Sequence, residues 1–303
     1  MATEPAYLAA PPPLTGRAAA LDDLVALAAG RPGVVVLAGP PGIGRSRLAR
    51  EAAVRLAMDG TALVDAEAPG VAAEVLADAL AEAGHGRDPA RAARLRPIVI
   101  LLGERGDEPG LAAGLARRLA GSRGLVLMTG REMHGDVATM VLPPLAEEDA
   151  LALVRAAAPG LPAAAAAQVA ALGDGVPGRL VALAHAARDW PGGDAPLPVP
   201  APLRAEAEGA LAPLDGWPAD LARWAALLSE PFSVGLLARK TLETPARIAA
   251  GLDALTAAGV LGEVPGPPEV RWRFRDRVLR AVAAGAMDGA ERRRRHAAAL
   301  VSG

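Results

Sequence analysis

The chain contains no cysteine, which excludes disulfides, thiolate metal sites and cysteine nucleophiles together. Aromatic residues are nearly as scarce, with four Trp, two Phe and one Tyr in 303 residues. A core must therefore be built from Ala, Leu and Val, and this composition favours helix wherever a β-branched run is missing. Of the 32 basic residues only Lys240 is a lysine, and they face 34 acidic ones for a formal charge of -2. That balance rules out polycation binding as the whole of the function. No apolar run approaches the roughly 18 residues needed to cross a bilayer. The N-terminal stretch MATEPAYLAAPPPL carries Glu4, several prolines and no basic lead, so it does not read as a signal peptide. A soluble cytoplasmic protein without membrane association is expected, and its length suggests two domains, each with its own core.

What is present is an alternation of strand and helix signals. After a Pro/Ala arm over 1–13, Leu21, Leu24, Val25 and Leu27 supply the apolar face of a short helix. Val34 to Leu37 is a continuous apolar run of the kind buried on both faces of a parallel sheet. A Gly/Pro loop and an amphipathic helix over about 46–58 follow. Further strands are expected at Ala62 to Val64, Ile98 to Leu102 and Leu125 to Met128, with a weaker one at Thr139 to Leu142. Strands separated by helices predict an α/β parallel sheet over 14–143. Beyond Pro144 the pattern is helical alone, at 147–157, 162–173 and 177–188. Residues 190–202 are too rich in Pro and Gly for a helix interior and read as a linker. From 203 onward helices resume with one hairpin, in which Val260-Leu261 and Val270 to Phe274 flank the turn-forming PGPP at 265–268. Helices followed by a two-stranded wing predict a winged helix over 203–303.

The sharpest motif lies between the first strand and its helix. Gly39-Pro40-Pro41-Gly42-Ile43-Gly44-Arg45-Ser46 fits G-x-x-x-x-G-K-[ST] everywhere except at the lysine. Glycines let backbone N–H groups turn toward an anion, and the helix that follows adds its N-terminal dipole. The Ser46 hydroxyl stands where a magnesium ligand belongs, and Arg47 follows it. Arg45 departs from the compact lysine point charge: a planar, forked guanidinium can pair with phosphate but does not have to fit the same hole. The loop predicts ATP or ADP binding. The bland alternative is a mere connection between strand and helix.

In order and spacing, these and later landmarks resemble the STAND-class (AAA-like) P-loop ATPase module of bacterial LuxR-type and SARP-type transcriptional regulators. Leu14-Thr15-Gly16-Arg17 is similar to the start of that module, and Ile98 to Leu102 with Gly103-Glu104 resembles its Walker B strand. Thr129-Gly130-Arg131 resembles sensor one. Leu142-Pro143-Pro144-Leu145 with Glu147-Glu148 is similar to the approach to its helical lid, and Gly175-Val176-Pro177 resembles the lid's G-x-P. Trp272 to Arg275 and Arg292 to His296 resemble stretches of its winged helix. The likeness spans about 14–300. It implies a P-loop NTPase domain over 14–143, an all-α lid over 144–189, a linker over 190–202 and a winged-helix domain over 203–303. It also implies a switch whose nucleotide state controls assembly with itself or a protein partner. Gly16, Arg17, Arg131 and Pro177 would then join the loop around the nucleotide.

Three departures from that pattern bear on catalysis. Gly103 stands where the first Walker B acid would hold magnesium, leaving Glu104 as the one candidate general base. Asp107 is a possible substitute for the missing acid. Asp276 replaces the winged helix's phosphate-facing histidine and would repel a phosphate unless turned away or paired with an arginine. Together with Arg45, these changes remove electrostatic stabilisation that phosphoryl transfer needs. The expectation is a nucleotide-binding regulatory module with weak or no hydrolysis, its Mg2+ site weakened at Gly103. An ATPase tolerating Arg45 and Gly103, and a protein-interaction scaffold without nucleotide, are the alternatives.

Smaller signals point less sharply. Residues 269–296 hold nine arginines against four acids, as in a DNA-binding wing. Alternation in Arg271-Trp272-Arg273-Phe274-Arg275 instead suggests aromatics facing the core and solvated arginines, so direct DNA binding is disfavoured. His85, His134, His185 and His296 share no metal-ligand spacing. Trp217 and Trp224 are two helical turns apart and are expected on one buried face.

Overall fold

The computed structural model describes residues 14–295 except 31–32, 59, 68–70, 83, 96, 132–136, 192–196, 267–268, 288–289 and 292. The arm over 1–13, His134, Arg292 and His296 therefore lie outside the described residues. The chain divides into two compact units, Met1–Leu161 with Gly175–Val181, and Pro162–Asp174 with Ala182–Gly303. The segment 144–189 is thus shared between them.

The first unit begins with α1 (Ala18–Ala29), β1 (Val34–Ala38), α2 (Arg45–Met58) and β2 (Ala62–Asp65). It continues through α3 (Ala72–Glu82), α4 (Pro89–Leu95), β3 (Ile98–Gly103), α5 (Leu111–Leu119), β4 (Gly124–Gly130), β5 (Ala138–Val141) and α6 (Glu147–Ala157). All five expected strands are present, each within about two residues of its apolar run. They form one parallel sheet in the order β2-β3-β4-β1-β5.

Period-two alternation sorts the strand residues onto two apolar layers. Val35, Leu37, Val99, Leu101, Leu125 and Leu127 meet Leu24, Leu48, Ala52 and Ala53 of α1 and α2. On the opposite face, Val34, Val36, Ile98, Ile100, Val126 and Met128 meet Leu76, Leu80, Ala93, Leu115 and Leu119 of α3, α4 and α5. Burial on both faces is why these strands read as unbroken apolar runs. Leu27 corrects the expected face of α1: Leu24 and Ala28 are the buried residues, and Leu27 is exposed.

Helices α7 (Ala163–Leu172) and α8 (Pro177–Ala186) follow, the latter starting in the first unit and ending in the second. The second unit continues with α9 (Ala201–Leu211), α10 (Gly216–Ala226), α11 (Val234–Thr241) and α12 (Pro245–Ala257). Strands β6 (Leu261–Val264) and β7 (Arg271–Phe274) and helix α13 (Arg277–Gly285) complete it. The α9 helix begins at Ala201 with Pro202 in its first turn, inside the stretch read as a linker, because a proline there forfeits no intrahelical hydrogen bond.

Strands β6 and β7 pair antiparallel, Leu261 opposite Phe274 and Val264 opposite Arg271. Phe274 is buried and Trp272 half-buried, with Arg271, Arg273 and Arg275 exposed, as the alternation suggested. Phe232 bridges to Trp272 through reciprocal backbone hydrogen bonds of 2.9 and 2.8 Å. It is fully buried among Leu221, Leu237, Ile248, Leu252 and Val278. Trp217 and Trp224 both pack against this core from α10, as expected, but are only half-buried, each ring being covered by a guanidinium, Arg247 at 4.5 Å and Arg295 at 4.9 Å from the ring centroid.

Asp276 is the N-cap of α13, its carboxylate accepting from the Val278 amide at 2.6 Å and the Leu279 amide at 3.4 Å. An acid here satisfies orphan amides and complements the helix dipole. Asp276→Ala is expected to destabilise the protein by about 1 kcal/mol. Urea unfolding followed by tryptophan fluorescence checks this, and an unchanged midpoint would refute the capping role.

Candidate functional site

In a parallel sheet, ligands bind beyond the carboxyl ends of the strands. Here the neighbouring ends are those of β1, β4 and β3. Ala38 is opposite Gly130 and Gly103 opposite Met128, so the loops after these strands emerge side by side. The Gly39 amide donates to the Gly130 carbonyl at 3.2 Å, and the Gly106 amide to the Thr129 carbonyl at 2.8 Å. Residues 39–46, 103–107 and 129–131, distant in sequence, meet at this edge.

The loop has the conformation its glycines permit. Gly39, Gly42 and Gly44 have φ of 147°, 79° and 99°, values that only glycine adopts without strain. Ser46 and Arg47 follow in the first turn of α2. A cavity of about 420 Å³ opens over the loop, within the usual range for small-ligand sites. Its floor is Gly42, Ile43, Gly44, Arg45, Ser46 and Arg47. Leu14, Leu153, Pro177 and Val181 supply apolar walls, with Thr15, Arg17, Gly178 and Glu104 completing the lining. Pro177 is where the resemblance placed it, whereas Leu153 and Val181 escape a sequence reading because Leu and Val on amphipathic helices read as core. Gly39, Pro40, Pro41 and Gly16 lie outside this lining. Gly16 instead lies against α6, where any Cβ would come within 2.5 Å of the Asp149 carboxyl carbon.

Arg17 is buried, donating to the Ile43 carbonyl at 3.3 Å and the Pro143 carbonyl at 2.6 Å. It ties the loop to the segment leaving β5. Burial pushes its guanidinium below the usual arginine range, and Asp149 opposes that shift. Gly178 joins the loop from α8, its amide donating to the Gly42 carbonyl at 2.8 Å. A Cβ on Gly178 would stand 3.0 Å from the Gly42 Cα.

Arg45 is the centre of charge. Its side chain is 5% exposed, and its guanidinium donates to the Gly130 carbonyl and, at 2.8 Å, to the Glu104 carboxylate. Glu104 is 69% exposed. Beyond this pair lies a second cavity of about 510 Å³ lined by Arg45, Glu104, Asp107, Gly130 and Arg131. The Asp107 carboxylate accepts from the Arg131 amide at 2.8 and 2.9 Å, so it does return to the site, where it holds the end of the β4 loop. Thr129 is buried with a hydroxyl that has no hydrogen-bond partner among the described residues.

Gly103 has φ of 68°, and a Cβ there would come within 3.5 Å of the Glu67 side chain, which itself pairs with Arg50. An aspartate at 103 would be strained and would face a like charge. Among the described residues, no three His, Cys, Asp or Glu side chains are grouped as a metal site. A magnesium ion fits this donor set only with a nucleotide, taking the Ser46 hydroxyl as its protein ligand and phosphate and water oxygens for the rest.

Strand order, the glycine loop after β1 and the helix opening at Arg45 define a P-loop NTPase fold. No protein-family model matches the chain, and no curated protein matches it in sequence. Among solved structures it is similar to a Signal Transduction ATPase with Numerous Domains that carries a tetratricopeptide repeat sensor, from Pyrococcus horikoshii. That likeness has 17% identity and a TM-score of 0.40, and covers 91% of this chain but 44% of the other, so the chain spans less than half that protein's length. The Thermotoga maritima RuvB Holliday junction branch migration motor has 17% identity and a TM-score of 0.42, over 82% of this chain and 90% of that one. Domain III of the Thermotoga maritima replication initiation protein DnaA has 15% identity and a TM-score of 0.41, over 56% and 82%. Among the described residues no helix is long and apolar enough to cross a membrane.

Proposed function

We propose that the chain is a STAND-type regulatory module that binds ATP or ADP and hydrolyses ATP weakly or not at all. In this reading 14–143 hold the nucleotide, 144–189 act as the lid and 203–303 as a winged helix of a signalling or transcription regulator. Gly42, Gly44 and the amides opening α2 take the phosphates, Ser46 takes Mg2+, and the slot between Leu14, Leu153 and Val181 takes the base.

One observation carries the catalytic part: the Arg45 guanidinium is bound to Glu104. The cation that would stabilise transferring charge and the carboxylate that would activate water are thereby engaged with each other. With glycine at 103, the carboxylate of the first Walker B position is missing.

The output is a protein contact, either with a partner or with another copy. DNA reading is disfavoured because several arginines of the basic segment already hold backbone carbonyls of the same unit. Arg280 donates to the Ala226 and Leu228 carbonyls, Arg277 to the Ala171 carbonyl, and Arg275 to the Leu261 carbonyl.

Calorimetric titration with ATP and ADP, with and without magnesium, tests the binding reading alongside a phosphate-release assay. Magnesium-independent ADP binding with negligible turnover is the expected result. Failure of both nucleotides to bind would favour the scaffold. Turnover on the order of one per second that Glu104→Gln abolishes would establish a working ATPase and overturn the reading.

A further inference from the structure

We propose that the Arg45–Glu104 ion pair makes this site selective for a nucleoside diphosphate over the triphosphate, an inference that rests on the nucleotide-binding reading above. Arg45 and Glu104 line both the cavity over the loop and the cavity beyond it. The pair therefore forms the wall between the two. On one side, backbone amides and the α2 dipole serve the phosphates nearest the nucleoside without help from the guanidinium tip. On the other, a terminal third phosphate would need the place on Arg45 that the Glu104 carboxylate holds at 2.8 Å.

Burial decides which partner yields. Arg45 is 5% exposed and also anchored on the Gly130 carbonyl, so it cannot follow a phosphate outward. Glu104 is 69% exposed and can leave, but until it does, two anions compete for one cation. A diphosphate leaves the pair intact, whereas a triphosphate has to break it. Lysine at this position would reach as a single point charge. Arginine instead spreads its donors over three nitrogens, and here the two terminal ones bind Glu104 and Gly130 at once.

The test is ADP and ATP affinity measured by calorimetry in EDTA for the wild type, Glu104→Gln and Glu108→Gln. Glu108 pairs with Arg105 nearby, lines neither cavity and controls for the loss of one negative charge. The wild type is expected to bind ADP at least ~10-fold more tightly than ATP, a difference that Glu104→Gln narrows to within ~3-fold by gaining ATP affinity. Glu108→Gln is expected to leave the ratio where it was. Equal affinities in the wild type, an unchanged ratio in Glu104→Gln, or the same change in Glu108→Gln would each overturn the selectivity while nucleotide binding stands. Binding of neither nucleotide to any of the three proteins would overturn the nucleotide reading and this inference together.

Discussion

Gly178→Val is expected to weaken nucleotide binding by about tenfold to hundredfold while the protein remains folded. The Gly178 amide donates to the Gly42 carbonyl at 2.8 Å, so α8 is stitched directly onto the phosphate loop. A Cβ at 178 would meet the Gly42 Cα at 3.0 Å and its carbonyl oxygen at 3.2 Å, both backbone atoms that cannot rotate away. Valine adds two further methyl groups in that gap, and overpacking of this kind costs about 1–3 kcal/mol. The cheapest relief is to push the loop off α8. The loop then loses the shape that turns its amides toward an anion, and the strain appears as lost affinity. Gly114→Ala in α5, where a Cβ meets nothing within 4 Å, is the matching neutral change. Calorimetry on the two variants decides the matter, and a Gly178→Val protein binding ADP like the wild type would refute the coupling of α8 to the loop.

Phe232→Ala is expected to cost the second unit about 3–5 kcal/mol, the range for deleting a buried phenyl ring. Phe232 has 0% exposure and is the largest fully buried side chain among the described residues. Trp272, its nearest aromatic partner, is held by the reciprocal backbone hydrogen bonds of the bridge, which limits how far its ring can move into the void. The surrounding Leu221, Leu237, Ile248 and Leu252 are held on three helices, α10, α11 and α12, that would have to move to close it. Such a loss is a large share of the roughly 5–15 kcal/mol that stabilises an ordinary domain. All four tryptophans, at 190, 217, 224 and 272, belong to this unit. Tryptophan fluorescence in urea therefore reads it selectively. A midpoint shift equivalent to less than about 1 kcal/mol would show that the core around Phe232 collapses to fill the space.

Several site features were legible locally. The loop from Gly39 to Ser46 is a run of eight residues whose glycines and position after an apolar strand announce an anion cradle before any tertiary contact is known. The strands were equally plain, because burial on both faces leaves unbroken Val, Ile and Leu runs. The amphipathic face of α1 was harder: Leu27 and Ala28 are neighbours, and choosing which turns inward depends on where the sheet lies. Gly103 departs visibly from the motif in sequence, but its left-handed backbone and the Glu67 side chain beside it follow from a bulge after Leu101 and a loop after β2.

The sequence alone determined an α/β sheet that carries a glycine loop without its lysine, since those properties depend on periodicity and on residues adjacent in the chain. Tertiary structure alone decided what replaces the lysine's chemistry. Arg45 meets Glu104, 59 residues away, and Gly130, 85 away, while Asp107 returns to hold Arg131 and Gly178 closes on Gly42. Asp276, which in sequence looked like a charge opposed to phosphate, caps the helix that follows it. A side chain's partner is set by which strand ends the sheet order brings together, and strand order is a long-range outcome that no local run of residues encodes.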